Sequence, residues 1–224
     1  SSDELLYKIV NMLALYGVEP HQITGVIFSS VVPTLTSRLR ETLRKMSEAP
    51  VMEVGPGLKS GVRIRMDTPA QLGGELLCAV VGALQHTAPP MVVINFDTAT
   101  TLLAVDAEGT LVGGAILPGP QCSLAALVAN TAQLPQVELD AKPRRVIGTN
   151  TPDCLQSGIV YGTAAMLDGM VQRFCGKLNA SHAAVIATGT LPASIRSACT
   201  VDIDYRATLV LDGLFTIWTK NTRR

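Results

Sequence analysis

Three strand-like segments follow one another without interruption between residues 91 and 119, and no other feature restricts the possible folds so sharply. An apolar run, Val92 to Phe96, breaks into a knot of small polar residues, Asp97-Thr98-Ala99-Thr100-Thr101. Alternating apolar residues then resume, turn at Asp106-Ala107-Glu108-Gly109 and close on Gly113-Gly114. Such alternation, punctuated by Asp- and Gly-containing turns, predicts strands paired as hairpins. The flanking segments have a different period. Residues 3–17 set Leu5, Leu6, Ile9, Met12, Leu13 and Leu15 at mostly helical spacing, with Gly17 as the stop. Residues 33–49 predict an amphipathic helix with Pro33 in its first turn. Residues 67–88 predict a buried helix capped by Thr68, with Pro69 at its first position. Further helices are predicted at 123–135, at 151–178 (one long helix, with room for a shorter one ahead of it) and at 208–221. Buried strands read at 23–33, 49–55 and 183–191. Helices and strands alternating around a hairpin centre predict an α/β fold rather than a bundle or a sandwich.

A chain of 224 residues can bury a substantial core, as one domain or as two small lobes. Lys plus Arg and Asp plus Glu are both 18, so the net charge is zero. A neutral chain lacks the electrostatic footprint of a nucleic-acid binder, and the short basic cluster Lys142-Pro143-Arg144-Arg145 reads as a solvated loop. Charged residues make up only 16%, which points to much buried surface, a subunit interface included. The five cysteines are scattered and free of CxxC spacing, as expected of reduced core thiols. No apolar stretch approaches the ~20 residues of a membrane span, and no leader peptide is visible, so a cytoplasmic location without membrane contact is the expectation. The three histidines share no metal-ligand spacing, and neither HExxH nor a GxSxG elbow occurs, which excludes the common zinc and serine hydrolases.

Chemistry concentrates in Asn95-Phe96-Asp97-Thr98-Ala99-Thr100-Thr101. Small residues let backbone N–H groups converge on an anion, and threonine hydroxyls can donate to phosphate oxygens. A carboxylate at the end of a strand serves such a site by holding a cation that neutralises the phosphates. The same composition also makes an ordinary threonine-rich turn.

The order of segments adds a resemblance. SSVVPTLTSRL, TPAQLGGEL, NFDTATTLLAVDAEGTLVGGAILPG, LPQVEL, VIGTNTPDCLQSGIVYG, VIATG and LDGLFTIWTKN, taken in this sequence, resemble the type III pantothenate kinases. These belong to the actin/sugar-kinase-like ATPase superfamily, and the resemblance runs from about residue 3 to the C-terminus. It implies two ribonuclease-H-like lobes with ATP and Mg2+ in the cleft between them. On this reading residues 1–90 with 205–224 form a first lobe that is incomplete at its N-terminus, and residues 91–204 form the second. The family begins with a strand–turn–strand carrying Asp-x-Gly-Asn-Thr, whereas this chain opens at the helix that follows. A dimer is implied too, a homodimer or a heterodimer with a related kinase chain, with pantothenate bound near the subunit interface.

Site residues carry over position by position. Glu75 in Gly73-Gly74-Glu75-Leu76 stands where the family has the aspartate that takes the proton from the pantothenate hydroxyl. It keeps the carboxylate but reaches one methylene further, and a misplacement of about 1 Å costs roughly a hundredfold in rate. It also reads as a first-turn glutamate favoured by the helix dipole. Leu76 replaces an arginine of the substrate site and offers no forked donor. Gly73, Gly74 and Thr151 match substrate-site positions, Thr151 doubling as a helix N-cap before Pro152. Thr98, Thr100 and Gly189 match ATP-site positions, with Thr190 in place of a second glycine and Met66 in place of a pocket tyrosine. Asn95 replaces the aspartate that binds potassium or ammonium in the family, and Asp97 replaces a glycine. Residues i and i+2 of a strand face the same side about 6.6 Å apart, which allows the cation role to move to Asp97.

These departures leave two readings: an ATP-dependent pantothenate kinase of coenzyme A biosynthesis, or a kinase-fold partner subunit that has lost catalysis. The Bvg accessory factor branch of the family is connected with transcription control, and the neutral charge argues against direct DNA contact there.

Overall fold

The central hairpins are the middle of a six-stranded sheet. The computed structural model describes residues 1–180 and 182–222. Strand β4 (Met91–Phe96), β5 (Ala99–Val105) and β6 (Thr110–Pro118) form an antiparallel meander. β7 (Ala184–Gly189) adds parallel to β4, β8 (Asp204–Tyr205) parallel to β7, and β3 (Arg63–Ile64) parallel to β6, giving the order β3-β6-β5-β4-β7-β8. Without β3, the order of appearance is 3-2-1-4-5 with the second strand reversed, the ribonuclease-H-like arrangement.

Every residue of β4 is buried, and its side chains divide by parity. Val92, Ile94 and Phe96 pack with Leu102, Leu124, Val160, Leu167 and Ile195 on one face. On that side lie α4 (Pro120–Ala129), α5 (Thr151–Lys177) and α6 (Ala193–Ala198). Met91 and Val93 pack with Ala79, Val80, Ala83, Leu103 and Leu209 on the other face. There lie α3 (Gly74–His86) and α7 (Leu209–Thr222).

α3 has two buried faces because it separates two sheets. Cys78 and Val81 turn away from the large sheet, toward Val54, Ile217 and Ile27. This second cluster belongs to a two-stranded parallel sheet of β1 (Val26–Phe28) and β2 (Val51–Glu53). α1 (Ser2–Leu15) and α2 (Pro33–Met46) accompany that sheet. α3 and α7 cross with almost no side chain between them. A Cβ on Gly82 would lie 2.1 Å from the Leu209 carbonyl oxygen, and one on Gly213 would lie 1.9 Å from that of Cys78.

The predicted elements appear with four adjustments. The helix predicted at 123–135 is α4, which begins three residues earlier, at Pro120, and ends at Ala129. The 67–88 segment divides: Pro69–Gln71 is a single 3-10 turn, Leu72 is extended, and α3 starts at Gly74 with Gly73, not Thr68, at its cap. The start of α3 is packed closely against the loop after β1: a Cβ on Gly74 would lie 2.5 Å from Ser29 Oγ. Residues 151–177 form one helix, whose buried Leu155, Val160, Ala164, Leu167 and Val171 make a continuous stripe at helical spacing. Its cap is Asn150, whose side chain accepts from the Asp153 N–H at 2.9 Å, so Thr151 is the first helical residue rather than the cap.

Candidate functional site

The apolar stripe of β4 ends in a polar residue, Asn95, buried to 6% exposure. Strand register sets Asn95 opposite Thr101 of β5 and beside Thr188 of β7, both buried. All three continue the face that Met91 and Val93 present to α3. The first turn of α3 carries Glu75, and the Asn95 Nδ2–H donates to Glu75 Oε1 at 3.0 Å. A glutamate at a helix N-terminus is favoured by the helix dipole, and the amide fixes its direction. The second carboxylate oxygen makes no hydrogen bond among the described residues. One turn further, Cys78 is fully buried, and burial together with the Glu75 charge pushes its thiol up to about 12. It is a core thiol, not a nucleophile.

A cavity of about 410 Å³ is reached by the next residue of α3, Leu76, and by Thr101 of β5, and is completed by Met66, Leu72, Leu103 and Ile116; Glu75 itself is not in its lining. Asp67, Thr68 and Gln71 stand at it as well.

The loop after β4 borders a different cavity, of about 430 Å³, with Asp97, Gln121, Asp140, Gly189, Thr190 and Tyr205 among its walls. Three backbone segments meet here at distances only glycine permits. A Cβ on Gly119 would lie 2.2 Å from the Asp97 carbonyl oxygen, and one on Gly189 would lie 2.0 Å from that of Phe96. Gly189 has φ +84°, in the left-handed region. Three N–H groups at this junction are spent on the chain itself: Asp97 donates to Ala99 O at 3.0 Å, Gly119 to Thr98 O at 2.9 Å, and Thr190 to Phe96 O at 2.7 Å. Tyr205 donates its hydroxyl proton to Gly189 O at 2.6 Å. Among the described residues no Lys or Arg lines this cavity, whereas two carboxylates do.

The sequence candidates therefore separate into groups. Glu75 and Asn95 are joined by a hydrogen bond, and Gly73 and Gly74 set where α3 begins. Asp97 and Gly189 share the second cavity. Thr98 is exposed in the turn, while Thr100 is fully buried, its Oγ without a hydrogen-bond partner among the described residues. Thr151 lies at the exposed start of α5 and lines neither cavity. Asp140 and Tyr205 were not anticipated: they come from a loop and a two-residue strand, and nothing in their local spacing marks them. Among the described residues no three His, Cys, Asp or Glu side chains cluster as a metal site, and no helix is long and apolar enough to cross a membrane.

Known proteins bear on this geometry. The family model described as type III pantothenate kinase matches residues 1–173. A type III pantothenate kinase of Rubrobacter xylanophilus is 37% identical over 228 residues, covering all of this chain and 86% of that protein. One from Streptomyces avermitilis is 38% identical over 224 residues, covering 98% of this chain and 84% of the relative. One from Halalkalibacterium halodurans is 35% identical over 222 residues, covering 99% and 86%. Among solved structures, a Baf family transcriptional activator from Campylobacter jejuni superposes with a TM-score of 0.60 at 19% identity, over 89% of this chain and 84% of that one. That last likeness concerns the fold. The sequence relatives, matched along nearly the whole chain, make this protein a member of the type III pantothenate kinase family.

Proposed function

We propose that this chain transfers the γ-phosphoryl group of ATP to the primary hydroxyl of pantothenate, with Glu75 receiving the hydroxyl proton. One observation carries the reading: the Asn95 amide holds one Glu75 oxygen at 3.0 Å and leaves the other without a partner among the described residues, while the next residue, Leu76, and the strand partner of Asn95, Thr101, line the first cavity. A base must sit within hydrogen-bond reach of its proton, and an oriented carboxylate meets that requirement better than a free one. The substrate tail occupies the cavity of Met66 and Leu103; the nucleotide occupies the one of Asp97, Gly189 and Thr190.

The nucleotide cavity suits a metal-bound triphosphate better than a bare one. The N–H groups of Asp97, Gly119 and Thr190 are already bonded and no cationic side chain lines the cavity among the described residues, so the phosphates need their charge balanced from elsewhere. Mg2+ is commonly held by one or two carboxylates together with substrate phosphates, which fits Asp97 and Asp140. The monovalent cation fits less well. Asn95 carries no charge, its Nδ2–H turns to Glu75, and Asp97 lines the other cavity, so among the described residues no carboxylate stands with the Asn95 Oδ1 as a joint cage in either cavity lining. We therefore give potassium or ammonium no role in the reaction.

We assign residues 91–204 to the nucleotide-side lobe, and residues 1–90 with 205–224 to the other. Activity in a dimer is consistent with the exposed apolar side chains Leu211 and Phe215 on α7. A second reading, a partner subunit without catalysis of its own, is favoured by α1. That helix buries no residue and exposes Tyr7, Met12, Leu15 and Tyr16.

The test is pantothenate-dependent ADP release by the purified chain. Turnover that falls by about 10² or more in Glu75→Gln, with melting temperature unchanged, is the expected result. Absence of turnover alone, restored on mixing with an intact relative, favours the partner reading instead.

A further inference from the structure

The cavity reached by Leu76 has a charge pattern of its own. Five long apolar side chains wall it: Met66, Leu72, Leu76, Leu103 and Ile116. Its single charged residue is negative, Asp67, and Glu75, next to Leu76 in α3, is negative too. Among the described residues no Lys, Arg or His lines it. The neighbouring basic residues do not substitute: Arg65 reaches Asp106 at 3.2 Å, and Arg63 stands on the edge strand outside the lining. A ligand carboxylate entering here loses water, meets apolar walls and faces like charge, with no cation to compensate. An uncharged amide in the same place loses far less. Thr68, Gln71 and Thr101 offer it hydrogen-bond donors and acceptors, and the Asp67 carboxylate accepts an amide N–H.

We propose that this cavity selects a primary alcohol whose tail ends in an uncharged secondary amide, in preference to one that ends in a carboxylate. The substrate class is thus an N-substituted amide of pantothenic acid, with the same hydroxyl presented to Glu75. This inference rests on the kinase reading and names the substrate of that same site. Leu76 is the specificity-determining side chain, because it holds the wall nearest the base; Asp67 reinforces the choice from the rim.

The test compares pantothenate with its N-pentyl amide, by calorimetric binding in the presence of MgATP and by ADP release. The amide is expected to bind at least about tenfold more tightly and to give the lower KM, since a buried charge left unpaired is rejected strongly. Leu76→Arg is expected to reverse the order. Asp67→Lys, at an exposed position that leaves the core untouched, is expected to shift the ratio the same way even where the first variant misfolds. Pantothenate bound equally or better, with turnover, overturns the proposal and leaves the kinase reading standing. Neither compound bound nor turned over overturns both.

Discussion

Thr100 illustrates how one buried atom changes the meaning of a motif. Its hydroxyl lies on the face shared by Ile94, Phe96 and Leu102, fully buried and without a partner among the described residues. A buried donor left unmatched costs roughly 1–3 kcal/mol, whereas an apolar group of the same shape costs none of it. Thr100→Val is therefore expected to raise the melting temperature, by about 2–4 °C for each kcal/mol gained in a chain of this size, without loss of ATP affinity. A fall in ATP affinity would return Thr100 to the nucleotide site. Cys78 gives a second residue-scale test. Its thiol ionises only near 12 in the fold against an ordinary value of 9.0, so the unfolded chain loses this proton first as pH rises. The contribution of the thiol to stability is thus complete below pH 9 and is lost between there and pH 12. Cys78→Ala is expected to flatten the alkaline decline in denaturant midpoint. In the native protein, exposed Cys122 and Cys154 are expected to react with a maleimide well before buried Cys78 does.

At the scale of elements, the α3–α7 crossing sets two helix backbones in direct contact. Gly82 and Gly213 each bring one helix against the other's backbone, so an added methyl has only carbonyl groups to displace. Gly213→Ala is expected to destabilise by about 1–3 kcal/mol in urea unfolding, because overpacking against backbone finds no flexible side chain to move. Gly158→Ala on α5 is the matching control. It meets open space, and replacing a mid-helix glycine by alanine is expected to stabilise by about 0.5–1 kcal/mol. Both substitutions leave local propensity better than before, so opposite signs would isolate the tertiary contact. The same joint transmits position to the site, since the helix clamped by α7 is the one whose first turn carries Glu75. Gly213→Ala is therefore also expected to lower turnover more than its loss of stability explains.

Across the whole molecule, α3 and α7 form a seam between two sheets of unequal size, and both candidate cavities adjoin the larger one. Much of this was legible in the residues. Period-two alternation from 91 to 119 dictates the meander, and the helical stripes at 3–17, 33–49 and 208–221 return as α1, α2 and α7. These patterns are local, because a strand or helix with one apolar face has few ways to bury it. The ordered motifs carried the family for a related reason: glycines such as Gly119 and Gly189 are fixed by backbone approach and tolerate no substitute. Less was legible at the site. Asn95 and Glu75 are 20 residues apart and meet only because α3 lies across the end of β4. Which way a threonine of this loop faces depends on where the strand begins: Thr98 precedes β5 and is exposed in the turn, and within the strand parity sends Thr100 to the Phe96 face and Thr101 to the Asn95 face. By itself, then, the sequence determined the elements, the α/β class and the family, all of which follow from periodicity and from residues with unique backbone demands. Only the tertiary structure decided which polar groups touch, which are spent on the chain's own carbonyls and that neither cavity is lined by a cation among the described residues. Those outcomes depend on distances between segments far apart along the chain, and no local pattern encodes a distance.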